Sequence, residues 1–151
     1  MTRALLALLA IGGSALQAQD SPFAGTWQLS YPIGMQVDNG VATPILGTGV
    51  LTVEMTGDSL IATLVTDPVP DMPARPPARL AAKAGSGTVT FVSHASGKAS
   101  MNGEERDINV VSTWVLTVTG DAIAGTVQRQ IEGFAGMGQE PQPVTGKRQK
   151  G

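Results

Sequence analysis

The stretch from Ser112 to Arg129, STWVLTVTGDAIAGTVQR, constrains this chain more than any other. Trp114, Leu116 and Val118 alternate with Thr113, Val115, Thr117 and Thr119. A period of two puts the first set on one face of a strand and the second on the other. Gly120-Asp121 then supplies turn chemistry before a second strand. The same unit stands at Val50 to Val65, VLTVEMTGDSLIATLV. Both copies share V-L-T-V, then T-G-D, then an apolar residue two positions after the Asp, Leu60 in one and Ile123 in the other. A chain that repeats a tight hairpin builds an antiparallel meander.

Eight strands follow from the same reading. Strand A runs about Ala24 to Tyr31, with Trp27, Leu29 and Tyr31 on one face. Strand B is Gly49 to Thr56, with Leu51, Val53 and Met55 inward, and strand C is Ser59 to Thr66, with Leu60, Ala62 and Leu64 inward. Strand D spans Arg79 to Ala84, and strand E spans Thr88 to His94, centred on Val89 and Phe91. Strand F covers Asp107 to Thr119 and is long enough to expect a bulge. Strand G is Ala122 to Ile131 and strand H Val144 to Gln149. Three connections are tight: Gly57-Asp58, Gly85-Ser86-Gly87 and Gly120-Asp121. Four are long: Pro32 to Thr48, Asp67 to Ala78, Ala95 to Arg106 and Glu132 to Pro143. Alternate connections of a meander lie at opposite ends, so all short turns fall at one end and all long loops at the other. This alternation predicts an all-β fold, an eight-stranded antiparallel up-and-down barrel with a closed end and a loop-lined mouth. A two-sheet sandwich, the alternative, uses longer crossovers.

The barrel is expected to follow a signal peptide. Arg3 gives a positive start, Ala4 to Ile11 an apolar segment too short for a bilayer, and Ser14 to Ala18 a small or polar end. Residues 1–18 are read as the leader, with cleavage after Ala18, and 19–151 as one barrel domain of roughly 130 residues. No other apolar run is long enough for a membrane span. The chain has no Cys, so it has neither a disulfide nor a lipid-anchoring thiol. The expected locations are the periplasm or the medium, and the expected state is a monomer. Ten basic residues less Arg3 leave nine, against twelve acidic ones. That balance argues against nucleic-acid binding, which needs a basic face.

Gly25-Thr26-Trp27, at the start of strand A, resembles the G-x-W motif of the lipocalin and calycin group. Lys147-Arg148 in the last strand is similar to that group's C-terminal basic residue. The resemblance implies a lipocalin-like barrel closed by Arg148 packing on Trp27. The mature chain also resembles a family of small exported bacterial proteins with a GTW start, L-T-x-x-x-x-G-D-x-L hairpins and a closing T-G-K/R strand. The T-D-Y-like stretch of lipocalins is missing from this sequence.

The sequence offers no catalytic constellation. His94 is the single His and reads as a strand-end surface residue; without Cys, a Cys–His pair is ruled out. Glu104, Glu105 and Asp107 sit beside Asn102-Gly103 as solvated turn charges, and Asp58 and Asp121 are turn residues. Gly133 to Gly138 spells G-x-x-G-x-G, the wrong order for a dinucleotide fingerprint, with no helix after it. Asp67 to Arg79 holds five Pro and reads as an extended connector or lid. The chain is therefore expected not to be an enzyme, and no cofactor or metal is assigned.

Two function classes remain. One is a binding module for a small hydrophobic ligand at the barrel mouth. The other is an envelope protein with a filled barrel that acts through its surface loops. Four Met fall one to each long connection: Met35, Met72, Met101 and Met137, joined there by Phe134. Apolar side chains in loops need a reason, and Met suits either an adaptable rim or a plug. The expected ligand-binding set is Met35, Met72, Met101, Phe134 and Met137 at the mouth, with Trp114 and Phe91 inside. Small inward residues (Ala62, Ser112, Gly125) are expected to leave room beside Trp114 and Phe91.

Overall fold

A computed structural model describes residues 21–85, 87–101, 103–132 and 140–150; for 35–37, 42 and 98–101 the description covers the backbone alone. Eight strands make up the domain: β1 (Gly25–Asp38), β2 (Val41–Thr56), β3 (Ser59–Thr66), β4 (Ala78–Lys83), β5 (Thr88–Met101), β6 (Glu104–Thr119), β7 (Ala122–Ile131) and β8 (Gln142–Arg148). Each pairs antiparallel with its neighbours in sequence, and β1 pairs with β8 to close the barrel. The all-β, eight-stranded up-and-down barrel read from the sequence is the fold. No helix among the described residues is long and apolar enough to cross a membrane. The proposed leader, residues 1–18, lies outside the described residues.

The period-two pattern explains the interior. Trp27, Leu29 and Tyr31 of β1, Leu51 and Val53 of β2, and Leu60, Ala62 and Leu64 of β3 are buried. Trp114 and Leu116 of β6, with Ile123 and Val127 of β7, complete the far wall. Met55 departs from the expected inward set. At 40% exposure it lies at the end of β2, beyond the packed core.

At the tight-turn end the barrel is stoppered. Phe23 is fully buried, with its ring edge-on to Phe91 at 6.1 Å. Arg148 stands opposite Trp27 in the β1–β8 ladder, its guanidinium carbon 4.2 Å from the indole centroid. The same guanidinium donates to the carbonyls of Ala24 (2.7 Å) and Pro22 (2.8 Å) and reaches Asp121 at 3.4 Å. Trp27 in turn donates its indole N–H to Phe23 O at 2.9 Å. One cation thus fastens the segment that carries the stopper to both the first and the last strand.

The mouth end differs from the sequence reading. Two of the four expected long loops are not loops. β1 runs on to Asp38 and β2 starts at Val41, joined by Asn39-Gly40, both at positive φ (50° and 76°). That is the type I′ geometry of a two-residue hairpin. Residues assigned to the Ala95–Arg106 loop belong instead to β5 and β6, whose connection is two residues long, with Gly103 at φ 79°. Met35 and Met101 therefore lie in strands, opposite Pro44 and Glu104. Pro32 and Pro44 hid the first hairpin from a sequence reading, since Pro removes a ladder donor. They are tolerated because β8 pairs with β1 only from Trp27 to Ser30, and β3 pairs with β2 only from Gly49 onward. Beyond those limits β1 and β2 pair, among the described residues, only with each other. The β5–β6 hairpin overhangs in the same way, since β7 reaches β6 no further than Val110. In the barrel order these two arms stand on opposite sides of the mouth.

Candidate functional site

Between the arms, the segment from Asp67 to Pro77 bends over the mouth. Its five prolines stiffen it, and a turn at Pro70-Asp71, with Asp71 at φ 66°, folds it back. Asp67 N donates to Thr48 O at 2.9 Å and Met72 N to Val69 O at 3.2 Å, so the segment is tied at its start and folded at its middle. Val69 and Met72 pack against the core. A β-carbon at Gly34 would stand 3.9 Å from Met72 Cε, which locates that thioether on β1. Beneath the segment is a recess of about 130 Å³, lined by Ile33, Thr66, Val69, Met72 and Arg75 among others. A water occupies roughly 30 Å³ of liquid, so a small ligand group fits.

Tyr31 stands behind Thr66 at the edge of the recess. Its ring meets Trp114 edge-on at 5.5 Å, and its hydroxyl lies 2.6 Å from Thr66 Oγ1. Gly49 makes this possible: a β-carbon there would stand 2.6 Å from Tyr31 Oη and 2.7 Å from Val65 O. β1 then shifts register between Pro32 and Gly34. The bulge turns two consecutive carbonyls toward arginines. Arg129 donates to Pro32 O at 2.8 Å, and Arg75 donates to Ile33 O. Arg129 follows Ile123, Gly125 and Val127 on the inward face of β7, opposite Ser112 of β6. Arg75 arrives from the covering segment.

Neither guanidinium has a carboxylate partner among the described residues, where ion pairs form at Arg106–Glu104 and Arg148–Asp121. Asp67, which also borders the recess, accepts from Thr48 Oγ1 (2.6 Å) and Gln28 Nε2 (3.3 Å). Burial, with Arg75 nearby, holds Arg129 below the usual guanidinium range, and Tyr31 opposes this. Burial pushes the Tyr31 hydroxyl up; its Thr66 hydrogen bond and the charges of Arg75 and Arg129 act against that, while Asp67 adds to it. The indole N–H of Trp114 is buried without an acceptor. The mouth is thus rich in donors and short of acceptors.

Of the expected ligand-binding residues, Met72 is the one whose side chain borders this recess. The backbones of Met35 and Met101 lie on the two arms, and Phe134 and Met137 lie outside the described residues. Trp114 and Phe91 are core residues, 3% and 0% exposed. The room expected beside them is taken by Tyr31 and Phe23. Sequence reasoning missed Tyr31, Arg75 and Arg129 as site residues. Arg129 had a signal, a charge continuing an inward alternation, whereas Arg75 in a proline-rich run had none. His94 is exposed on β5, opposite Val111, and no three His, Asp or Glu among the described residues gather as a metal site would require. A second depression, about 320 Å³, lies on the outer wall across β8, β1 and β2, bordered by Gln28, Ser30, Thr48, Thr145 and Lys147. These residues alternate with the inward Leu29 and Gly146, so that depression is separate from the barrel mouth.

Comparison with protein-family models, with curated proteins and with solved structures finds no match to this chain.

Proposed function

We propose that the protein is an exported, non-enzymatic binding module that holds a small, largely apolar ligand in the recess at the barrel mouth. The observation that carries this reading is the recess itself. Ile33, Val69 and Met72 give it apolar walls, the proline-rich segment covers it, and the packed core closes it below. A stiff cover loses little entropy on closing over a ligand, and Met adapts to its shape. Export is supported by the charged start, apolar segment and small-residue end of residues 1–18.

The test is binding of an uncharged fluorophore, N-phenylnaphthylamine, to the mature protein. Met72→Lys and Val69→Lys are expected to weaken it about tenfold or more. Asp58→Asn, in the tight turn at the opposite end, is expected to leave it unchanged. A fluorophore that stays dark, or that binds Met72→Lys as well as the parent, removes the reading. The competing reading, an envelope protein acting through its surface, draws on the filled interior and on Val41 and Leu46, which are 64% and 63% exposed on the β1–β2 arm. It takes precedence if the fluorophore fails and Leu46→Lys abolishes association with envelope components.

A further inference from the structure

We infer that the mouth is an oxyanion site, in which Arg129 and Arg75 clamp the carboxylate or phosphate head of the ligand and the apolar recess takes its tail. This rests on the binding reading above and adds the chemical class of the ligand. The register shift in β1 is the device that builds the site. It presents the adjacent carbonyls of Pro32 and Ile33, and each takes one N–H from a different guanidinium. Two cations are therefore anchored to neighbouring backbone atoms. A guanidinium has five N–H donors in a planar fork, so a single carbonyl leaves most of them for another acceptor.

The charge balance points the same way. Like charges held together at a partly buried site are unfavourable unless an anion joins them. The nearest acid in the recess, Asp67, accepts from Thr48 and Gln28 on Oδ2 and pairs with neither guanidinium among the described residues. Residues 133–139, between β7 and β8, carry no acid in their sequence. Two further polar groups lie next to the inward faces of β1 and β6. The Tyr31 hydroxyl faces Thr66, and the buried indole N–H of Trp114, on the ring that abuts Tyr31, has no acceptor. Buried donors are nearly always satisfied, and an orphan calls for a partner. An oxyanion is acceptor-only and supplies what this cluster lacks.

The experiment compares octanoate with octanol as competitors of the uncharged fluorophore, with inorganic phosphate as a head without a tail. Octanoate is expected to compete at about tenfold lower concentration than octanol. Arg129→Met and Arg75→Met are expected to bring octanoate to the level of octanol. Arg129→Lys, which keeps the charge, should retain part of the preference. A second readout does not depend on the fluorophore. The chain has one Tyr, so alkaline difference absorbance reports Tyr31 alone. An anion beside the phenol disfavours the phenolate and moves its midpoint to higher pH. Circular dichroism checks that each variant is folded.

If octanoate and octanol compete equally, or if the preference survives the double Arg75→Met, Arg129→Met variant, the oxyanion site is wrong and the apolar recess stands. If neither competitor nor the fluorophore binds, the apolar reading fails. Phosphate then decides the anion site by itself. An Arg129-dependent shift of the Tyr31 midpoint supports it, and no shift overturns it.

Discussion

Tyr31 joins the fold to the site, and its ionisation gives the most direct test at the scale of one residue. Burial raises its pKa in the folded protein. As pH climbs past the ordinary phenol value of about 10, the unfolded chain therefore ionises first. The neutral phenol's contribution to stability is fully present below that value and is lost as pH rises through the higher folded one. The melting temperature should fall above about pH 10, and Tyr31→Phe should flatten that fall. At neutral pH the same substitution should cost about 1 kcal/mol through the lost Thr66 hydrogen bond. Identical alkaline profiles in the two proteins refute the argument. At the other end, Arg148→Ala removes a cation–π contact and two bonds to carbonyls, and should cost about 1–3 kcal/mol. Arg148→Lys should recover only part of that, because an ammonium cannot span both carbonyls and the indole face. A variant melt unchanged from the parent would show that Arg148 is a solvated tail residue. Trp27 and Arg148 were legible in the sequence from the G-x-W start and the basic final strand. Arg75 was not, because its partner is a backbone carbonyl presented by a bulge, and no side-chain pattern announces a bulge.

At the scale of elements, the two arms were the main misreading. Proline and glycine at Pro32, Gly34, Pro44 and Gly47 broke the alternation by which strands are recognised. Only the Asn-Gly pair between Val37 and Val41 still spoke for a hairpin. The physical reason is that an overhang has fewer ladder bonds to satisfy than a barrel stave. It accepts residues that a stave excludes. Two glycines of β2 and its turn separate these roles. Gly40 has φ 76° with nothing within 4 Å of a β-carbon, so Gly40→Ala adds strain without crowding. Its effect should be confined to the arm, seen as faster amide exchange there with little change in global melting. Gly49→Ala puts a methyl 2.7 Å from the Val65 carbonyl, a backbone atom that cannot swing away. That substitution should destabilise the whole domain by about 1–3 kcal/mol and disturb the Tyr31 titration. If the two variants melt alike, the division into arm and stave is wrong.

The architecture of the whole molecule was legible because it follows from counting. The sequence reads as three short connections alternating with four long ones, a pattern that calls for a closed meander even though two of the four prove to be two-residue hairpins. What spacing does not show is how full the interior is, since that depends on which side chains meet across it. Phe23 filling the space at Phe91, from a segment before the first strand, has no periodic signature. The same limit applies to how firmly each strand is joined to the next. Around the cylinder the shortest register among the described residues is that of β4 and β5, Ala81 opposite Val92, although the two strands lie side by side. The chain has no Cys, so Ala81→Cys with Val92→Cys can form one disulfide only. Oxidation should raise the melting temperature by an amount that reductant reverses. No rise would mean that Ala81 and Val92 do not stand at crosslinking distance without strain.

A cylinder with its shortest register along one line has a place at which to part. Parting there unrolls it into an eight-stranded ribbon whose two free margins are β4 and β5, with every other ladder intact. Each margin then offers unpaired amides and carbonyls to a second unrolled copy, which is the geometry of edge-to-edge polymerisation. Below the melting temperature, slow growth of such polymers, suppressed by the disulfide, would trace the protein's shelf life to a single pair of residues.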